Sequence, residues 1–197
     1  YDPDTEVTIF AGATEAIYCA LTALCNPGDN IVAFEPAYDS YVAATRLAGA
    51  ALTTIPLRGP HWDYAPADLE RSIGPRTKAI ILNSPHNPTG KVFSPAELEA
   101  IAAICAKRDI WLITDEVYEE LTYDGHRHIS IAALPGMRER TIAISSIAKT
   151  FSFTGWKVGF AFAPPVLTNA LRAVHQFTVF CSATPLQHGA AGLISLD

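Results

Sequence analysis

Apolar runs of strand length alternate along this chain with stretches whose apolar positions recur at helical spacing. Residues 6–10 form the first such run, and the segment opened by Gly12-Ala13-Thr14-Glu15 reads as a helix with Thr14 as its expected N-cap. A strand at 30–34 leads into a helix over 41–47, and a strand at 51–55 follows Gly49. A short helix at 68–71 precedes residues 78–82, an unbroken apolar run of the kind buried on both faces of a sheet. Ser94-Pro95-Ala96-Glu97 is a helix start, with proline at the first position and glutamate three residues after the cap, and this helix is expected to run to Lys107. Further strands are expected at 110–114, 141–144 and 158–162.

Seven strands with mostly helical connections predict an α/β fold: one mostly parallel seven-stranded sheet with helices on both faces. The link around Lys149 is too short for a full crossover helix, so residues 158–162 are expected to run antiparallel. No internal repeat or low-complexity stretch interrupts the pattern, and the Arg58-Gly59-Pro60 region reads as a loop.

A chain of 197 residues that is 49% hydrophobic and 17% charged can bury one substantial core. Its formal net charge of -6 and the lack of any Lys/Arg stripe argue against nucleic acid or an anionic membrane as a partner, and point to small molecules. Cys19, Cys25, Cys105 and Cys181 form no C-x-x-C pair, so they read as core packing in a reducing compartment, and no metal site is expected. Without a signal peptide or a long apolar stretch, the expected location is cytoplasmic. Tyr1 is not preceded by an initiator methionine and a helical pattern still runs at Leu193-Ile194-Ser195-Leu196-Asp197, so a longer parent protein is expected.

The chemistry gathers where ligands collect in open α/β sheets, at the carboxyl ends of strands. Lys149 lies in Ser145-Ser146-Ile147-Ala148-Lys149-Thr150-Phe151-Ser152-Phe153-Thr154-Gly155-Trp156-Lys157-Val158-Gly159, a run that sets hydroxyls and a second cation around one amine. Those neighbours suit a covalent anchor for a phosphorylated aldehyde, whereas a lone lysine at a strand end is ordinarily a solvated charge. Asp115 closes an apolar strand and reads either as an electrostatic partner for a ligand or as a turn cap. Tyr118 lies at an odd offset from it, so the chain must turn for both to reach one ligand. Asn87 belongs to a loop stiffened by Pro85 and Pro88, and His86 reads as loop filler. Gly12, Ala13 and Thr14 open a helix whose N–H groups suit a phosphate. Tyr38 reads either as a ring that stacks on a ligand or as core packing.

Three stretches together resemble the class I aminotransferases, pyridoxal-phosphate enzymes of fold type I, and the resemblance covers essentially the whole chain. They are the lysine run above, Asn83-Ser84-Pro85-His86-Asn87-Pro88-Thr89-Gly90-Lys91, and Thr114-Asp115-Glu116-Val117-Tyr118, in the family's order. The subgroup it is most similar to contains the kynurenine and methionine aminotransferases. The resemblance implies pyridoxal 5'-phosphate (PLP) as cofactor and transfer of an amino group from an amino acid to a 2-oxo acid. Lys149 would carry the cofactor as a Schiff base and move the proton; Asp115 would pair with the ring nitrogen; Tyr118 and Asn87 would bond the ring oxygen; Tyr38 would stack on the ring. Gly12, Ala13, Thr14, Ser146 and Lys157 would hold the phosphate, Lys157 standing where many relatives carry arginine. A homodimer is also implied, and residues 1–197 correspond to the PLP-binding large domain, without an N-terminal segment and a C-terminal small domain. A PLP-dependent β-lyase on the same fold and an aminotransferase-like effector domain of a transcription regulator remain as alternatives.

Overall fold

The structure is a computed structural model that describes residues 1–195. Its centre is a sheet of seven strands, β1 (Val7–Phe10), β2 (Asn30–Glu35), β3 (Ala51–Pro56), β4 (Thr77–Asn83), β5 (Trp111–Asp115), β6 (Thr141–Ser146) and β7 (Gly159–Phe162), in the spatial order β1-β7-β6-β5-β4-β2-β3. As the short link predicts, β7 pairs antiparallel with both β1 and β6, and every other pairing is parallel. Helices α1 (Ala13–Leu24), α2 (Asp39–Leu47), α3 (Pro66–Ser72), α4 (Pro95–Arg108), α5 (Ile147–Thr150), α6 (Pro165–Thr178) and α7 (Thr184–Ile194) complete the chain.

Alternation along the strands sends successive side chains to opposite faces, and two cores result. Ile31 and Ala33 of β2 and Ala79 and Ile81 of β4 pack under α1, α2 and α6, with Leu21, Tyr41 and Leu171 among their neighbours. Val32, Phe34, Ile80 and Leu82 face the other way and meet Leu69, Leu98, Ile101 and Cys105 of α3 and α4. Both faces being covered is why β4 and β6 read as unbroken apolar runs. Each fully buried Leu, Ile or Phe contributes roughly 1.5–3 kcal/mol by leaving water, so the sheet is a rigid platform for whatever stands on its edge.

Helix α4 starts as expected: the Ser94 hydroxyl accepts the Glu97 N–H and Glu97 Oε2 accepts the Ser94 N–H at 2.8 Å, a closed capping box. At α1 the expectation fails. Thr14 does not cap the helix but is an exposed residue of its first turn, and Gly12 is the N-cap, without any side-chain cap bond. The chain turns there at φ +88°, a conformation glycine adopts without a Cβ penalty, so the glycine sets the boundary before threonine can. Helix α6 lies beyond the predicted pattern and buries Leu167, Leu171 and His175 on one stripe. Helix α7 ends at Ile194, and the expected continuation of helix past Ser195 lies outside the described residues.

The cysteine expectation is also corrected in part. Cys19 and Cys105 are buried, but Cys25 is half-buried and Cys181 is exposed, because the apolar run Val179-Phe180-Cys181 follows α6 off the core instead of into it. Among the described residues no helix is long and apolar enough to cross a membrane.

Candidate active site

Parallel pairing brings the ends of β4, β5 and β6 level, with Asn83 opposite Asp115 and Asp115 opposite Ile144. A cleft of about 830 Å³ opens above this rim, within the size range of small-molecule sites. All the residues singled out from the sequence line it: Gly12, Ala13, Thr14, Tyr38, Asn87, Asp115, Tyr118, Ser146, Lys149 and Lys157. Lys157 precedes its strand instead of following it, and reaches the same rim because β7 runs antiparallel.

Asp115 forms the floor. It is 4% exposed, and burial raises its carboxyl to about pH 6 against the pull of the Tyr41 hydroxyl, which donates to Oδ2 at 2.6 Å. The Val117 N–H adds a long bond to Oδ1 at 3.4 Å, and no cation pairs with the carboxylate among the described residues. Tyr41 in turn has its phenol pushed well above the ordinary value by burial and then by Asp115, so it stays a donor. Asn83 secures the floor from the side. Its amide donates to the Asp115 carbonyl at 2.8 Å, and its oxygen accepts the Asn87 N–H at 2.6 Å, tying the Pro85–Pro88 loop to the strand end. The Asn87 side-chain amide itself makes no hydrogen bond among the described residues, and His86 is buried against Thr89, with burial lowering its imidazole to about 4. It is loop filler, as the sequence suggests.

At the first corner of the cleft the turn from β1 into α1 presents free donors. The Ala11 N–H is taken by Glu15 at 2.6 Å and the Gly12 N–H by the Phe10 carbonyl at 2.8 Å, while those of Ala13 and Thr14 have no acceptor among the described residues. The Lys157 stem crosses this turn: a Cβ placed on Gly12 would lie 3.8 Å from both Lys157 Cα and Cδ. Lys157 itself adopts φ +54°, at the end of the tight turn Thr154–Trp156. Ser146 caps α5, its oxygen accepting the Ala148 N–H at 3.3 Å, which leaves the hydroxyl proton free.

Lys149 rides on α5, half-buried and without an ion pair among the described residues. Its Nζ lies 5.7 Å from the centre of the Tyr118 ring. The chain turns immediately after β5, with Tyr118 accepting the Leu121 N–H, and so the odd offset from Asp115 does not separate the two. Burial and Asp115 both push the Tyr118 phenol upward. Tyr38, the N-cap residue of α2, stands edge-on to Tyr41 with ring centres 5.7 Å apart.

Three site residues escape a reading by motif role. Tyr41 looks like an ordinary core aromatic at a helix start. Asn83 carries the same signal as Asp115, a polar residue closing a buried run, and it stands in a motif whose better-known members draw the attention. Gly159 opens β7 against the phosphate-ready turn: a Cβ there would fall 2.5 Å from Ala13 N and from the Gly12 carbonyl carbon. Only glycine lets that strand press so closely on the turn, and no local pattern announces a contact between residues so distant in sequence.

The sequence model of the family described as aminotransferase class I and II matches residues 1–196. Kynurenine–oxoglutarate transaminase 3 of Rattus norvegicus is 43% identical over 206 residues, which take in 100% of this chain and 45% of that protein. A probable N-succinyldiaminopimelate aminotransferase of Mycobacterium tuberculosis is 48% identical over 199 residues, covering 100% of this chain and 50% of the relative. The chain thus spans about half the length of the curated relatives it matches. Among solved structures, N-succinyldiaminopimelate aminotransferase from Mycobacterium tuberculosis superimposes with a TM-score of 0.95 at 46% identity over 98% of this chain and 51% of that one. An Escherichia coli protein with a methionine aminotransferase function gives 0.96 at 39% identity over 100% and 52%. With the whole matched stretch folded as in these structures, the chain belongs to the class I and II aminotransferases.

Proposed function

We propose that this chain is the cofactor-holding part of a PLP-dependent aminotransferase that moves an amino group from an amino acid to a 2-oxo acid. One observation carries the reading: a buried carboxylate, a lysine amine and a helix start whose first N–H groups have no charged or accepting partner among the described residues share a single cleft. Each is costly or idle alone, and each is complementary to a different part of pyridoxal phosphate. The Ala13 and Thr14 N–H groups, the Ser146 hydroxyl and the Lys157 ammonium suit the phosphate; the lysine gives a point charge instead of the bidentate fork of an arginine. Asp115 suits a protonated ring nitrogen, Tyr118 and Asn87 the ring oxygen, and Tyr38 the ring face.

Pyridoxal phosphate, when bound, supplies an aldehyde that captures amines and a ring that takes up the electrons released when a Cα–H bond breaks. The chain's own residues do the rest. Lys149 would hold the aldehyde and, with its amine free, would be the base that moves the substrate Cα proton. Asp115 would pair with the ring nitrogen and favour its protonated form, and Tyr41 fixes the direction of the carboxylate through the 2.6 Å bond.

The donors to test first are those of the relatives, kynurenine, N-succinyldiaminopimelate and methionine. A half-reaction screen of the full-length protein, each donor added without an oxo acid, is expected to stop after one equivalent of amino transfer. Multiple turnover without an oxo acid would replace the aminotransferase reading by a β-lyase. We also infer a homodimer. Leu47 and Val179 border the cleft at 75% and 43% exposure, and Phe177 and Phe180, the sequence neighbours of Val179 at the end of α6, stand at 85% and 73%, apolar surface that a second subunit would cover. Light scattering of the full-length protein is expected to give twice the monomer mass; a monomer at micromolar concentration would remove the inference.

A further inference from the structure

The first turn of α1 contains an anion that the reading above does not use. Glu15 is the third residue of the helix, lines the cleft beside Ala13 and Thr14, and would sit next to a phosphate dianion held there. A free carboxylate in that place would swing into the same N–H groups and repel the ligand. Both of its oxygens are instead occupied from behind. Oε2 accepts the Ala11 N–H at 2.6 Å, while Oε1 accepts the Thr178 hydroxyl at 2.9 Å and lies 2.8 Å from His175 Nδ1. The Cys19 thiol stands 3.9 Å from Oε1, and the side chains of His175 and Glu15 are only 9% and 11% exposed.

The geometry points to Glu15 as a positioning residue for the cofactor phosphate: clamped by His175 and Thr178 of α6, it takes the Ala11 N–H and leaves those of Ala13 and Thr14 free for the phosphate. The inference rests on the PLP reading. It also gives α6 a task, since His175 packs edge-on against Phe10 at 4.9 Å, and the Phe10 carbonyl fixes the Gly12 N–H. The turn is thus braced at both ends by one helix that contributes no catalytic group. In His175→Leu the Glu15 carboxylate keeps its charge but loses its buried donor, so the clamp opens and the carboxylate can turn toward the Ala13 and Thr14 N–H groups.

The test is the dissociation constant of pyridoxal phosphate and of pyridoxal, which lacks the phosphate, for the full-length protein and its variants. His175→Leu is expected to weaken pyridoxal phosphate by about tenfold or more and pyridoxal by no more than about twofold, the size of one lost charged hydrogen bond felt only at the phosphate. His175→Gln, which returns a donor, is expected to recover most of the loss, and Glu15→Gln added to His175→Leu, which removes the freed charge, to recover part of it. Equal losses for the two ligands would reduce Glu15 to a general structural role, and unchanged affinity for pyridoxal phosphate in His175→Leu would remove the role altogether. If the unaltered protein binds neither ligand, the cofactor reading itself fails and the positioning role falls with it.

Discussion

Lys149→Ala is expected to cut amino transfer by roughly 10³- to 10⁴-fold while leaving pyridoxal phosphate bound, because it removes both the anchoring amine and the base. Retention follows from the rest of the cleft, since the α1 N–H groups, Lys157 and Asp115 all lie outside the altered helix turn. The alanine is well suited to the interior of α5, whose Ser146 cap and Phe151 terminus do not involve the lysine side chain, so the loss reports on chemistry and not on folding. Borohydride reduction of the unaltered protein with pyridoxal phosphate, followed by peptide mapping, should place the label on Lys149. A label on Lys157 or Lys91 in its place, or turnover of Lys149→Ala within tenfold of normal, would assign the chemistry elsewhere.

Asp115→Asn is expected to act in opposite directions on activity and on stability. Activity should fall by about 10²- to 10³-fold, since a neutral amide no longer keeps a ring nitrogen protonated and one preorganised electrostatic contact is lost. Stability of the cofactor-free protein should rise. The Asp115 carboxyl is raised by burial from 3.8 to about 6, so the folded state holds its proton more tightly than the unfolded chain does. Such a group favours the fold fully below pH 4, and that contribution is lost as pH climbs through the interval from about 4 to 6. The loss amounts to about 3 kcal/mol at pH 8, at 1.36 kcal/mol per pH unit. Asparagine escapes it, so thermal melts of the two cofactor-free proteins should converge near pH 4 and separate at pH 8 with the variant higher. Pyridoxal phosphate should close most of that gap for aspartate by placing a cation opposite the carboxylate. A variant less stable at pH 8, or melts separated equally at both pH values, would mean that the carboxylate is satisfied by Tyr41 and Val117 alone.

The same carboxylate shows how far the sequence reaches. A polar residue that closes a buried apolar strand stands at the sheet's carboxyl rim wherever the strand lies in the sheet, so Asp115, and by the same logic Asn83, can be placed from local pattern alone. The glycine before α1 and the serine before α5 are equally local, because backbone turn and cap chemistry involve only near neighbours. The error over Thr14 has the same origin: two adjacent residues could each begin a helix, and the backbone conformation that glycine alone tolerates decided between them.

The chain alone thus determined the layered architecture, the antiparallel run of β7 and the rim positions of the candidate site, since each follows from periodicity, link length or a turn within about a dozen residues. Only tertiary structure decided what each rim residue touches. The Tyr41 bond that orients Asp115 spans 74 positions, the Glu15 clamp on α6 spans 160, and the fit of Gly159 against Ala13 joins the first helix to the last strand. Such contacts depend on strand order and on the depth to which each face is buried. No stretch of sequence encodes those by itself, because they arise from the packing of all the layers at once.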